Sequence, residues 1–337
     1  MNPTMQDVAT LAGVSVKTVS NVVNNYPHIR DTTKAKVLQA IDSLGYQMNM
    51  SARSLRSGKT GMIGLAVPEL SLPYFAELAD SVIEYADSVG LTVLIEQTGG
   101  DARREREALC GQRRSMTDGL IFSPLAMESS DLGACQVNFP MVLLGERIFD
   151  AGSDHVTMHN VDGARSATEF LIERGCRKIV LLGSHDGEVV GSAALRTTGY
   201  LAALDAHGIA VDSRFIREAG LWHRETGAAA MAEFLQLGVA FDGVVALNDA
   251  MALGALYVLQ KNGISVPEQV KVIGFDNIND SQYSYPTLTT VEPGRKQIAH
   301  TAVDLLKKRI DAPAKWAGPR RVIADYTIIE RDSTAQG

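Results

Sequence analysis

The sequence predicts an all-α helix-turn-helix headpiece joined to a two-lobed α/β body in which parallel sheets are covered by helices. Three observations predict it. Charge is segregated along the chain, two short amphipathic stretches separated by a glycine stand near the start, and behind them short apolar runs alternate with helical stretches.

The chain has 337 residues, a net charge of −7 and 45% hydrophobic side chains. Residues 1–60 carry Lys17, Arg30, Lys34, Lys36, Arg53, Arg56 and Lys59 against Asp7, Asp31 and Asp42, a net +4. The remainder carries 25 basic and 36 acidic side chains, a net −11. A small basic unit ahead of a larger acidic body places any phosphate contacts at the N-terminal end. No run approaches the roughly 20 apolar residues of a membrane span. Met1-Asn2-Pro3-Thr4 opens no basic-then-apolar leader, so a cytoplasmic protein without membrane contact is expected. Cys110, Cys135 and Cys176 show neither metal-ligand spacing nor a disulfide framework and read as three semi-buried thiols of a reducing compartment.

In residues 5–24, Met5, Val8, Ala9 and Leu11 share one helical face, Gly13 breaks the helix, and Ser15 can cap the next. Val19, Val22 and Val23 continue the apolar stripe. Ala9 must be small where the second helix crosses it, Gly13 suits a positive φ in the turn, and Val19 can plug the space between the helices. A third helix, Asp31 to Leu44, starts at an acidic cap and turns Val37, Leu38, Ile41 and Leu44 inward. This is the helix-turn-helix plan. Its second helix enters the major groove by its N-terminal residues. Lys17 can donate to guanine, Asn21 can pair with adenine and Val16 can touch a thymine methyl. Ser15, Thr18, Ser20, Asn24 and His28 read as phosphate contacts, which position without specifying.

The run DVA-x-x-AGVS-x-x-TVS-x-V-x-N, followed by Leu44-Gly45-Tyr46 and by ARSL at Ala52 to Leu55, resembles the headpiece of the lactose-repressor (LacI/GalR) family. The resemblance implies a hinge helix that forms on operator DNA, with Arg53 on the DNA and Leu55 wedged into the minor groove. An apolar wedge of that kind unstacks a base step and bends the duplex. Two positions depart from the family pattern: Met48-Asn49 replaces the usual Pro-Asn, and Asn21 stands where arginine is common. The domains expected are 1–48, the headpiece; 49–60, a hinge helix and linker; and 61–337, a two-lobed effector-binding and dimerisation domain.

In that body, strands are predicted at Met62–Val67, Thr92–Ile95, Gly119–Phe122, Met141–Leu144, Lys178–Leu182, Gly243–Leu247 and Lys271–Phe275. Helices include Tyr74–Ser88, Val161–Arg174, Leu195–His207, Thr226–Leu237 and Ala250–Asn262. Such alternation makes parallel sheets with both faces covered. About 270 residues exceed one sheet's usual share, which calls for two lobes. Ligands in these folds bind beyond the carboxyl ends of the strands.

The resemblance extends to this region through PYFAEL at Pro73–Leu78, RTTGY at Arg196–Tyr200, LNDAMALGAL at Leu247–Leu256, and VIGFDN at Val272–Asn277 followed by PTLTTV at Pro286–Val291. It implies a periplasmic-binding-protein-like effector domain. The implied effector site takes Arg196 as a fork of donors, Asp276 as acceptor of hydroxyls, and Asn248 as both donor and acceptor. Trp222 is its flat platform, Tyr74 and Phe75 close the other side, and Glu146 is the candidate to supply the hydroxyl contact that Gly145 cannot. Purine-binding members lack an asparagine at the position of Asn248 and carry an arginine where Val190 stands, which favours a sugar. Gly145 stands where some sugar-binding members place an aspartate.

No Walker-type loop, G-x-S-x-G elbow or H-E-x-x-H motif occurs. His155 and His159 straddle a predicted strand and the following turn. The body therefore reads as a binding module without chemistry, needing no cofactor and no metal. Taken together, the residues and the resemblance imply a ligand-responsive, sequence-specific DNA-binding transcriptional regulator. The form favoured is a repressor of carbohydrate-utilisation genes released by a small sugar. A corepressor-dependent regulator binding a purine is the alternative, and a sugar-binding transport protein ranks below both. The tail Asp332-Ser333-Thr334-Ala335-Gln336-Gly337 lacks the leucine heptads of the family's tetramers, so a homodimer on a near-palindromic operator is expected. If Leu55 is the wedge, Leu55→Ala weakens specific operator binding and DNA bending while the body stays folded. Unchanged operator affinity in a gel-shift titration would remove that role.

Overall fold

The computed structural model describes residues 3–23, 26–46, 58–315 and 317–335. Contacts divide the chain into two units, Met1–Thr60 and Gly61–Gly337. The expected 48/49 boundary, Asn24, Arg53 and Leu55 lie outside the described residues.

The described residues of the first unit form three helices: α1 (Met5–Ala12), α2 (Val16–Val23) and α3 (Asp31–Leu44). Thr4 caps α1 reciprocally with Asp7: the Asp7 amide donates to Thr4 Oγ1 at 3.3 Å and the Thr4 amide to Asp7 Oδ2 at 2.8 Å. These two bonds satisfy open amides, and the Thr4 hydroxyl at 2.7 Å, with the Thr4 amide, holds the Asp7 carboxyl below its ordinary value. Gly13 ends α1 at φ +67°, a left-handed conformation that only glycine adopts freely. Ser15 Oγ accepts the Thr18 amide at 3.1 Å and so caps α2. Val8, Ala9, Val19, Val22, Val37 and Ala40 form the core, and Val19 is fully buried between the helices.

Three expectations for this unit are corrected. Leu11 is 55% exposed and Leu38 is 48% exposed. The inward stripe of α3 is Val37, Ala40, Ile41 and Leu44, and at 3.6 residues per turn Leu38 projects well to one side of it. Asp31 is the first helical residue rather than the cap, because the N-cap is Arg30 and makes no side-chain capping bond.

In the second unit the strands, in chain order, are β1 (Met62–Val67), β2 (Thr92–Gln97), β3 (Gly119–Phe122), β4 (Met141–Leu144), β5 (Asp154–Met158), β6 (Ile179–Ser184), β7 (Ile216–Glu218), β8 (Gly243–Ala246), β9 (Lys271–Phe275), β10 (Thr289–Glu292), β11 (Arg321–Ala324) and β12 (Thr327–Ile329). The longer helices are α4 (Pro73–Ser88), α5 (Ala102–Cys110), α6 (Asn160–Glu173), α7 (Ser192–Ala206), α8 (Arg224–Gln236), α9 (Asp249–Lys261) and α10 (Arg295–Asp311). One sheet has the order β11-β5-β4-β3-β1-β2, and the other β12-β10-β9-β8-β6-β7. All neighbours run parallel except β10 and β12. The first five strands of each lobe thus repeat one doubly wound order, with its switch point beside β1 in one lobe and β6 in the other.

The chain passes between lobes after β5, after β10 and after β11. The central strands β1, β3, β4, β6 and β8 are almost wholly buried, as strands covered on both faces must be. In the first lobe, Ile63, Leu65 and Val67 pack with Leu78 and Val82 of α4 and with Ile298, Val303 and Leu306 of α10. In the second, Val180, Leu182 and Val245 pack with Tyr200, Phe234 and Leu259. All three cysteines are free. Cys135 and Cys176 are buried, and burial pushes both thiols up to about 11. Cys110, expected half-buried, is exposed at the end of the charge-rich α5.

Helices α8 and α9 meet at Gly254. A Cβ there would collide with the Arg224 carbonyl and lie 2.7 Å from the Ala228 amide. Gly254→Ala must push the helices apart, at a cost of roughly 1–3 kcal/mol. Urea unfolding at constant m-value measures it, and an unchanged midpoint would show that the helices separate freely.

Candidate functional site

The ends of the central strands meet in a cavity of about 200 Å³ within the second unit. Its lining includes Tyr74, Phe75, Glu146, Arg196, Trp222, Asn248 and Asp276, all seven residues nominated for an effector. They come from strand ends and from the helices that follow: Glu146 after β4, Arg196 on α7, Asn248 after β8, Asp276 after β9, and Tyr74 and Phe75 on the first turn of α4.

Arg196 is 3% exposed. Nε donates to Asn160 Oδ1 at 2.7 Å, Nη1 donates to the Leu247 carbonyl, and Nη2 points at Met158 Sδ at 3.4 Å. The guanidinium lies 3.6 Å from the centre of the Phe275 ring and 3.6 Å from Asp276 Oδ1. Nε and Nη1 are thus held by the protein, while Nη2 keeps only the contact to sulfur and the guanidinium stays part of the cavity lining. A buried cation must satisfy its donors locally, because desolvation is not otherwise repaid.

Asp276 carries φ +111° and Asn277 φ +48°, both unusual for residues with a side chain. The turn is held by Asp276 N donating to the Val291 carbonyl at 2.8 Å and by Arg295 Nη1 donating to the Asp276 carbonyl at 2.9 Å. Burial pushes the Asp276 carboxyl up to about 8, against the pull of Arg196. Asp249 beneath it is raised to about 7, again by burial. It accepts from Ser281 Oγ and Thr290 Oγ1, both at 2.6 Å, and from the Ile278 amide at 3.0 Å.

Trp222 Nε1 donates to the Gly183 carbonyl at 2.9 Å, which fixes the indole at the cavity wall. Asn248 is the N-cap of α9: Oδ1 accepts the Met251 amide at 2.9 Å and Nδ2 donates to the Trp222 carbonyl at 3.0 Å. Most of its capacity thus serves the helix and the Trp222 segment. Tyr74 and Phe75 meet edge to face at 5.2 Å on the first-lobe core. Burial and the Asp276 and Glu146 carboxylates raise the Tyr74 phenol, so it stays a neutral donor.

Contacts across the cleft went unread in the sequence. Glu146 is buried and accepts from Thr157 Oγ1 at 2.6 Å and from Ser192 Oγ of the other lobe at 2.8 Å. Arg147 pairs with Glu188 at 3.0 Å and donates to the Val190 carbonyl at 3.2 Å. Glu69 meets His223 at 2.9 Å, and Glu77 accepts the Asn279 amide at 2.8 Å. The segment 185–192 follows β6 directly, so the strand-end rule was the signal that could have found it.

In the headpiece, Lys17 and His28 are exposed, while Thr18, Ser20 and Asn21 are half-buried. Val16 is partly buried against the core, and the Ser15 hydroxyl is engaged in the cap. No helix among the described residues is long and apolar enough to cross a membrane.

Residues 4–49 match the family model of bacterial regulatory proteins, lacI family, and residues 168–334 match the periplasmic binding protein-like domain. The HTH-type transcriptional repressor PurR of Vibrio atlanticus is 33% identical over 309 residues, 91% of this chain and 92% of its own. Among solved structures, the lac repressor dimer bound to operator and the anti-inducer ONPF is 26% identical with a TM-score of 0.82, covering 100% of each chain. The transcriptional regulator CelR in complex with cellobiose is 28% identical with a TM-score of 0.72, covering 98% of this chain and 99% of that one.

The cap geometry yields a test. Asn248→Ala loses both the α9 cap and the bond to the Trp222 carbonyl, and should cost about 1 kcal/mol in unfolding free energy. Asn248→Asp keeps the cap acceptor and should recover most of that stability, but not the Trp222 contact. Equal losses for the two variants would contradict a capping role.

Proposed function

Because the chain belongs to the LacI family of bacterial transcriptional regulators, we propose that it is a repressor whose grip on operator DNA is released by a small uncharged sugar in the cleft. The observation that carries the sugar reading is the Trp222 indole. It is anchored by Gly183 and set in the wall of a cavity that also holds the Asp276 and Glu146 carboxylates. A flat apolar face beside hydrogen-bond acceptors is the surface a pyranose fits, C–H face on the ring and hydroxyls on the oxygens. The absence of an arginine at Val190 supports the same reading.

In this reading Val16, Lys17 and Asn21 address base edges. Ser15, Thr18, Ser20, Asn24 and His28 hold phosphates, and Arg53 and Leu55 enter the minor groove. Two copies bind the two halves of a near-palindromic operator in the cytoplasm, as the two-fold symmetry of a dimer requires. In this reading the cleft binds its ligand without converting it. A sugar that contacts both lobes changes the population of the DNA-competent arrangement in proportion to its differential affinity.

One observation favours a second reading. The PurR repressor matches over 91% of this chain at 33% identity, so a purine acting as corepressor is retained. Operator affinity measured with and without ligands selected by a thermal-shift screen of sugars and purines separates the two. Release by a sugar, at least severalfold in operator affinity, is expected. Tighter DNA binding with a purine would establish the second reading, and a cleft ligand without effect on DNA affinity would refute both.

A further inference from the structure

Two histidines stand at the cleft, and their ring nitrogens face different partners. The His223 ring accepts the Thr226 amide and presents Nε2 to Glu69 Oε2 at 2.9 Å. One acceptor and one donor are what a neutral imidazole offers. His185 differs. Its Nδ1 lies 2.9 Å from Glu188 Oε2 and its Nε2 lies 2.6 Å from the Gly220 carbonyl. Both partners are acceptors. A neutral ring has a single N–H and would set a lone pair against one of them, whereas an imidazolium donates to both.

The surroundings join the lobes through this ring. Glu188 Oε2 also pairs with Arg147 Nη2 at 3.0 Å, and Arg147 belongs to the first lobe. The Trp222 ring lies 5.9 Å from the His185 ring, two residues beyond the carbonyl that His185 holds. We propose that His185 is a positioning residue held as an imidazolium, tying the Gly220–Trp222 segment through Glu188 to Arg147 across the cleft. One proton thus links the Gly220–Trp222 segment to the cross-lobe pair, in addition to the Gly183 and Asn248 bonds that hold Trp222.

The electrostatics agree in direction. The Glu188 hydrogen bond raises His185 above its ordinary 6.5, the Gly220 bond adds to that, and burial and the Arg147 charge oppose it. A raised histidine stabilises fully below the unfolded value, and the contribution is lost as pH rises through the folded value. Loss of the proton breaks one of the two bonds and so unties the Gly220 carbonyl from Glu188, which keeps its pair with Arg147. The consequence for effector binding rests on the cleft being the effector site, but the ionisation does not.

The test uses the full chain with Trp316→Phe, which leaves Trp222 as the single remaining one of two tryptophans. Histidine-ring nitrogen NMR from pH 5 to 9, assigned with His185→Gln, gives the midpoint, and Trp222 fluorescence is followed over the same range. No ligand is needed, so failure here is distinct from failure of the sugar reading. The expected midpoint is above 6.5, with a coincident fluorescence transition that is absent in His185→Gln. Glu188→Gln should lower the midpoint by about one pH unit or more, and Arg147→Met should raise it. A midpoint at or below 6.5 overturns the proposal. So does a midpoint unmoved in Glu188→Gln, or fluorescence that stays flat through the transition.

Discussion

The cleft is organised around one buried cation. Arg196 touches the end of β5 through Met158, the first crossing between lobes through Asn160, the end of β8 through the Leu247 carbonyl, and the end of β9 through Phe275 and Asp276. A guanidinium out of water costs several kcal/mol unless its donors are met. Each of these elements is therefore required where it stands, and displacing any of them leaves charge unpaired in a low dielectric. The left-handed turn at Asp276 and Asn277 is part of the same constraint. Residues with side chains hold such φ values only where the surroundings over-determine them. Here Val291, Arg295 and Thr290 bind the turn's backbone, and Arg331 and Glu292 bind the Asn277 side chain.

What was legible in the sequence follows from what a side-chain pattern can encode. Strands such as Met62–Val67 and Gly119–Phe122 are covered on both faces and print as unbroken apolar runs. The sheet margins do not. The segments Ile216–Glu218, Arg321–Ala324 and Thr327–Ile329 are only three or four residues long and partly exposed, too short to print a period, and only their pairing makes them strands. Asp154–Met158 reads as polar because His155, Thr157 and Asp154 are buried among hydrogen-bond partners rather than among apolar groups. In the headpiece, an apolar residue one position off the stripe, Leu38, cannot be told from its neighbour Val37 by hydrophobicity alone.

The site shows the same division. The positions of Asp276, Asn248 and Arg196 follow from motifs beside strand ends, because local sequence sets which side chains a strand delivers to its carboxyl end. Their bonding does not follow. Arg196 and Asn248 are spent on carbonyls and amides that no one-dimensional pattern contains. The Glu146–Ser192 contact joins residues 46 apart on different lobes, and the Glu69–His223 contact spans 154 residues. Chemistry carried by residue type was readable, whereas the supply of partners depends on the fold.

That distinction bears on how a ligand could move the lobes. Among the described residues, the contacts across the cleft include Glu69–His223, Glu77 with the Asn279 amide, Glu146–Ser192, Arg147–Glu188, and Arg295 with the Asp276 carbonyl, all of them polar. Arg147 and Glu188 are largely withdrawn from water, so their attraction is set against the cost of desolvating both charges. No apolar cluster spans the lobes to the extent that the two sheet cores fill each lobe. The seam between the lobes is thus more polar than the apolar cores within them. In the proposed function, a ligand moves the balance between two lobe arrangements only by its differential affinity for them. In the proposed function, the floor at Arg196 would keep the ligand's partners in register, and the polar rim at Glu146, Arg147 and Glu69 would be where the ligand's own contacts bear on both lobes.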